Sequence, residues 1–281
     1  MPIENNVKKI LGARPLGQTE ESSGRQPTTR LDYTDTKRQQ NGGLTKSKII
    51  KSGSLIETYN YEKPVRYGHK TSTNKKNSVG TKNLQRAFEY ANKTIYRAVN
   101  TLRRLIFANF TENDKFITLT FNNEQDFDIN DLDECLIRYQ KFMRKLRAKY
   151  KFLKYLTVPE FQKRGAVHYH ILCNLPYITQ SELQKLWPYG FSKINAVKST
   201  THLALYLVKY LSKKFDDPRK FGHRLYYASK NLIRPQTLYG PYAEAIENKL
   251  NDEYSDVVQY ENSYDTEHNG KVSYKQYVKK S

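Results

Sequence analysis

Sulfur is scarce in this chain. Its two cysteines, Cys135 and Cys173, form no Cys-x-x-Cys pair. That leaves no zinc knuckle and no disulfide framework to read, and it fits a reducing compartment best. No apolar run approaches the length of a membrane span, and the N-terminus lacks a signal-peptide core. The expectation is a soluble, cytoplasmic protein with no membrane partner. Acidic residues are in deficit as well: 28 Asp+Glu stand against 48 Lys+Arg, a formal charge of +20. An excess of that size points to a polyanionic partner, above all nucleic acid. The 23 tyrosines suit that partner, because phenol rings stack on unpaired bases.

The charge is unevenly spread. Residues 1–80 carry 15 Lys+Arg and 7 Asp+Glu, residues 243–281 carry 5 and 8, and the middle holds +15 of the total. Residues 1–80 are rich in Ser, Thr, Asn, Gln, Gly and Lys and lack long apolar periodicity, so they are expected to be a basic, flexible N-terminal region. Within them Ile49-Ile50 and Leu55-Ile56 suggest a short strand or hairpin at most. A folded domain is expected over 81–240, followed by an acidic tail over 241–281.

Inside the middle segment the spacing of Leu84, Phe88, Ala91, Ile95, Ala98, Leu102 and Leu105 predicts a helix over 81–107. Phe116–Phe121 is β-branched and aromatic and reads as a strand. A second helix is expected near 130–150, with Asp131, Asp133 and Glu134 in its first turn and Arg144, Lys145, Arg147 and Lys149 in its last, the charge order that the macrodipole favours. Leu153–Phe161 and Ala166–Cys173 read as a hairpin. A short helix over 180–187, a strand over Phe191–Val197 and a helix over 200–214 follow. This order predicts an α+β fold: an antiparallel sheet with helices on one face, close to a split βαβ arrangement.

His168 and His170 flank Tyr169 in the second strand of the hairpin. Residues i and i+2 share a face of a strand, so the two imidazoles make half of a metal site. The turn suggests a third ligand. If Lys163-Arg164-Gly165 is a three-residue loop with Gly165 left-handed, Gln162 pairs with Ala166 and Glu160 falls opposite His168. A loop one residue shorter or longer would turn Glu160 to the other face. Two imidazoles and a carboxylate suit Mn²⁺ or Mg²⁺ beside phosphate oxygens, or a zinc-like ion.

The helix over 200–214 carries Tyr206 and Tyr210. At 100° per residue, Tyr210 lies about 40° from Tyr206, with Lys213, His202 and Lys209 about 20°, 40° and 60° to the other side. Ala204, Leu205, Leu207, Val208 and Leu211 make an apolar back. A phenol with an ordinary pKa of about 10 is a weak nucleophile at neutral pH. A neighbouring ammonium favours phenolate, and a divalent cation polarises the phosphate under attack. Attack on DNA would give a covalent phosphotyrosine and a free 3′-OH, and a second tyrosine one turn away could take a second strand.

These residues resemble a known family. Segment 116–235 is similar to the HUH endonuclease domain of rolling-circle replication initiators of phages and plasmids. Phe116-Ile117-Thr118-Leu119-Thr120 resembles its first motif. His168-Tyr169-His170-Ile171-Leu172 resembles its second, and Glu160 matches the carboxylate common just before it. Tyr-x-x-Lys occurs in tandem, as Tyr206 to Lys209 and Tyr210 to Lys213, which looks like the two-tyrosine subgroup. Tyr227–Leu232 with Pro235 resembles a segment that often follows the domain. The resemblance implies a five-stranded antiparallel sheet, a Mg²⁺ or Mn²⁺ ion held by Glu160, His168 and His170, nucleophilic Tyr206 and Tyr210, and Lys209 and Lys213 steadying phenolate or phosphate. It also implies single-stranded origin DNA as substrate, host helicase or polymerase as partners, and a bacterial host cell as the setting. No Walker phosphate loop is present, so no fused helicase is expected. Alternatives within the same chemistry are a conjugative relaxase, for which a third nearby histidine is missing, and a single-strand transposase. Alternatives outside it are a non-enzymatic single-strand DNA binder and a metal hydrolase acting through water.

Overall fold

The structure is a computed structural model, and it describes residues 42–68, 84–199, 204, 206–208, 219, 223–253 and 258–278. In chain order the elements are β1 (Gly43–Ser52), β2 (Leu55–Tyr67), α1 (Leu84–Asn109), β3 (Lys115–Leu119), α2 (Leu132–Lys149), β4 (Tyr155–Phe161), β5 (Val167–Cys173), α3 (Gln180–Leu186), β6 (Ser192–Ala196), β7 (Tyr227–Ala228), β8 (Gln236–Tyr239), α4 (Pro241–Glu253), β9 (Val258–Thr266) and β10 (Gly270–Val278). Ala204 and Tyr206–Val208 are helical as well. Two compact units result. One lies within Lys82–Pro235; the other draws on chain either side of it, from Lys8–Thr81 and Gln236–Ser281. No helix among the described residues is long and apolar enough to cross a membrane.

The first unit holds a five-stranded antiparallel sheet in the order β6-β3-β5-β4-β7. Asp131 caps α2, its carboxylate accepting from the Asp133 and Glu134 amides, and an apolar stripe from Leu132 through Cys135, Tyr139, Phe142 and Met143 to Leu146 is buried. That stripe packs with Val167, Tyr169, Ile171 and Cys173 of β5, with Ile117 and Leu119 of β3, and with Trp187. Strand alternation therefore sends His168, His170 and Leu172 to the opposite face. Helix α3 begins with a capping box of Thr179 and Glu182. Its side chains Gln180 and Gln184 hold Ser192 at the start of β6. The strand β7, which sequence left without a role, closes the sheet by pairing with Leu156 and Thr157 of β4.

The second unit corrects part of the expected division into a flexible basic region over 1–80 and an acidic tail over 241–281. Residues 43–67 and 236–278 build a second five-stranded antiparallel sheet, β8-β1-β2-β10-β9. Ile49, Ile56, Leu238 and Tyr277 on one face pack with Ala243 and Leu250 of α4. The buried carboxylate of Glu247 accepts from Ser47 Oγ at 3.1 Å and from the Asn60 amide. Ile49-Ile50 and Leu55-Ile56 do lie in a hairpin, β1 pairing with β2, but they are also buried core residues. The remainder of 1–80, outside 42–68, lies outside the described residues.

Candidate functional site

The hairpin β4–β5 has the register that a three-residue loop demands. Gln162 N donates to Ala166 O at 2.9 Å and Gly165 N to Gln162 O at 3.0 Å. Gly165 is left-handed at φ 99, a conformation that costs an L side chain. Glu160 consequently faces His168 across the ladder, and Val158 faces His170. Arg164 Nη2 donates to Phe121 O at 2.7 Å and Arg219 Nη1 to Gly165 O at 3.0 Å. Arg219 also lies 3.9 Å from the Phe161 ring centroid. Sequence had not singled out Arg219; a cation far along the chain bonding a loop carbonyl leaves no local trace.

Glu160, His168 and His170 share one sheet face and are 7%, 8% and 4% exposed, so their chemistry is shielded from bulk water. His170 Nε2 donates to Glu160 Oε2 at 2.8 Å. Its other nitrogen lies 3.4 Å from Thr118 Oγ1, because Thr118 is the cross-strand partner of His170 on β3. Thr118 stands inside the Thr-Leu-Thr run, and its pairing follows from strand register. Phe116 stacks on His170 with ring centroids 5.8 Å apart. The His168 ring lies 6.3 Å from that of His170, and its buried Nε2 has no hydrogen-bond partner. Burial first, and then the neighbouring His170, push the His168 imidazole down to about 4 against the pull of Glu160. It is therefore neutral at pH 7, the form that ligates a metal.

A buried imidazole nitrogen without a partner, beside a second imidazole and a carboxylate, is a donor set that fits a divalent cation. A proton bridges Glu160 and His170 in this arrangement. Among the described residues, no three His, Cys, Asp or Glu side chains are gathered to hold an ion as they stand. Ligation through Glu160 and His170 would replace the proton between them, and His168 would add its unpaired Nε2.

Tyr206 meets the same face. Its ring centroid is 6.3 Å from that of His170, edge to face, and 5.5 Å from that of Phe116. It is 44% exposed, whereas Ala204, Leu207 and Val208 are buried, as the expected apolar back requires. The Tyr206 phenol ring and the His170 imidazole therefore lie side by side. Lys209, Tyr210, Lys213 and His202 lie outside the described residues. Neither cysteine is a rival nucleophile: both are buried, and burial pushes each thiol up to about 12.

No curated protein is matched by this chain. Among solved structures it is similar to the hypothetical protein ORF119 from Sulfolobus islandicus rod-shaped virus 1, at 20% identity and a TM-score of 0.30, over 40% of this chain and 93% of that one. Residues 114–215 match the family described as replication-associated protein ORF2/G2P, a range that contains Glu160, His168, His170, Tyr206, Lys209, Tyr210 and Lys213.

Proposed function

We propose that this protein initiates replication by nicking single-stranded origin DNA through tyrosine attack. The observation that carries this reading is the placement of the exposed Tyr206 phenol against His170. That face also carries Glu160 and His168, inside the segment matched to replication-associated proteins. A Mg²⁺ or Mn²⁺ ion held by Glu160, His168 and His170 would polarise the scissile phosphate and offset its charge. Tyr206 Oη attacks phosphorus in line with the 3′-oxygen, and the phenol proton is lost. The bond from phosphorus to the 3′-oxygen breaks, and that oxygen takes a proton to become a free 3′-OH. The 5′-phosphate stays on the tyrosine, so the bond energy is kept for rejoining.

Tyr210 takes the second strand in a later transfer, and Lys209 and Lys213 neutralise the phosphate as charge develops on it. Before an ion binds, Glu160 keeps His170 oriented, and the flanking apolar residues Phe116, Val158 and Leu172 keep bulk water from the imidazoles. Water exclusion favours transfer to the phenol over hydrolysis.

The test is incubation of the protein with single-stranded origin DNA and Mn²⁺, followed by denaturing electrophoresis. A protein–DNA adduct should appear, vanish with EDTA, and be lost in the double variant Tyr206→Phe, Tyr210→Phe. Survival of the adduct in that variant overturns the assignment. Cleaved ends without an adduct would instead support water as the nucleophile.

A further inference from the structure

The site is closed on one flank and open on the other. Over β4 and β5 the face is sealed: Leu156, Val158 and Leu172 are all 0% exposed. On the far side of β3 lies the edge strand β6, where Lys193 pairs with Thr118 and Asn195 with Phe116. Cross-strand partners point the same way, so Lys193 and Asn195 share the face of His170. Both are exposed. One residue before β6 begins, Phe191 O accepts from Thr120 N at 2.9 Å and from Thr120 Oγ1 at 3.0 Å. Ser192 is turned to the other face, where Gln184 and Gln180 bond it. Alternation then returns Phe191 to the site face, in the row of Thr120, His168 and Glu160, and its side chain is 62% exposed.

A single exposed phenylalanine needs no explanation by itself. This one begins a strip with a lysine and an asparagine that leads straight to the imidazoles, in a segment carrying most of a +20 charge. We propose that β6 is the entry platform for single-stranded DNA, with Phe191 stacking on a base and Lys193 pairing with a backbone phosphate. Aromatic faces accept any base, and an adjacent cation holds the backbone. Gly190 fixes the platform's height. A Cβ there would meet Asn122 N at 2.7 Å and the Phe121 carbonyl carbon at 2.8 Å, so only glycine lets this turn lie against β3. Edge strand and imidazoles are two strand spacings apart, roughly 10 Å. At 3.4 Å or more per nucleotide, the stacked base lies about one to three nucleotides from the phosphate under attack.

The proposal rests on the nicking reading for its substrate, and the following experiment separates the two. Affinity for a fluorescent single-stranded origin oligonucleotide is measured for the full chain and for Phe191→Ala, Phe191→Leu, Phe191→Trp and Lys193→Ala, without divalent cation. Phe191→Ala and Phe191→Leu should each raise Kd about 5-fold or more, and Phe191→Trp should restore binding. Lys193→Ala should flatten the salt dependence by about 0.7 in log–log slope. A series of abasic oligonucleotides should contain one position at which wild type loses affinity but Phe191→Ala loses no more. In adduct formation, Phe191→Ala should raise the half-saturating DNA concentration far more than it lowers the plateau. Kd values within 2-fold of wild type for all four variants overturn the proposal, as does an equal loss for Phe191→Trp and Phe191→Ala. If wild type makes no adduct yet the Phe191 and abasic effects appear together, the nicking reading falls and the platform stands.

Discussion

Gly165→Ala is the sharpest test of the hairpin that brings Glu160 to the imidazoles. The left-handed backbone at φ 99 lies beyond the usual left-handed region, so an alanine pays about 1–2 kcal/mol or more for the conformation alone. Its Cβ would also meet Asn130 Oδ1 at 2.6 Å. Relief requires the Asn130 side chain to turn, releasing its 3.0 Å bond from Nδ2 to Asp128 Oδ1, an exposed contact worth about 0.5–1 kcal/mol. The combined loss is roughly 1.5–3 kcal/mol. For a unit of this size each kcal/mol lowers Tm by about 2–4 °C. The single tryptophan, Trp187, is fully buried in the core of this unit, so its fluorescence reports the unfolding of that unit alone. Gly165→Asn should lose less than Gly165→Ala, because asparagine tolerates positive φ. Adding Asn130→Ala to Gly165→Ala should recover the contact part and leave the backbone part. An unchanged melting curve for Gly165→Ala, or a larger loss for Gly165→Asn, would refute the argument.

Other expectations follow from the same geometry. The His168 imidazole titrates lower in the folded protein than in the unfolded chain, so the unfolded state binds more protons between about pH 6.5 and pH 4. The stability contributed by neutral His168 is complete above that window and is lost as pH falls through it. His168→Gln should flatten the Trp187 unfolding midpoint across this range in metal-free buffer; an unaltered pH slope would contradict the assignment. Tyr139 Oη donates to Thr157 Oγ1 at 2.7 Å beneath the sheet. Thr157→Val should therefore leave a buried hydroxyl unpaired and cost about 1–3 kcal/mol by urea titration. In the second unit, Glu247→Leu leaves Asn60 Nδ2 without its acceptor and removes one of the two acceptors of Ser47 Oγ, which keeps its bond to Asn60 Oδ1. Hydrogen exchange should then quicken in β1 and β2 while Trp187 fluorescence is unchanged.

Much of the first unit is legible in the sequence because its signals are local. The apolar stripe and charged ends of α2 mark a helix within one segment, and Gly165 sets a hairpin register that places Glu160 opposite His168 without any distant information. Tyr206 could be placed on the polar side of its helix from spacing alone. Its approach to His170 is a tertiary fact that only the fold supplies. The second sheet illustrates the opposite case. Its strands β1 and β2 alternate lysine, serine, threonine and tyrosine with few aliphatic residues, and their partners β8 and β10 lie some two hundred positions away. Ile49 and Ile56 look isolated until Ala243 and Leu250 cover them. Strand propensity of this kind reflects packing against neighbours, and such neighbours are invisible to local reading. β7 is two residues long and likewise leaves no periodic trace.

The chemical identity of the side chain that attacks the DNA decides whether this face is a tyrosine-transfer site. After reaction with single-stranded origin DNA and Mn²⁺, nuclease trimming and proteolysis, mass spectrometry should find a phosphonucleotide on Tyr206 or Tyr210 and on no other residue, with none when EDTA is present. Cleaved DNA with both tyrosines unmodified, or a nucleotide attached elsewhere in the chain, would contradict the assignment of this face as a tyrosine-transfer site.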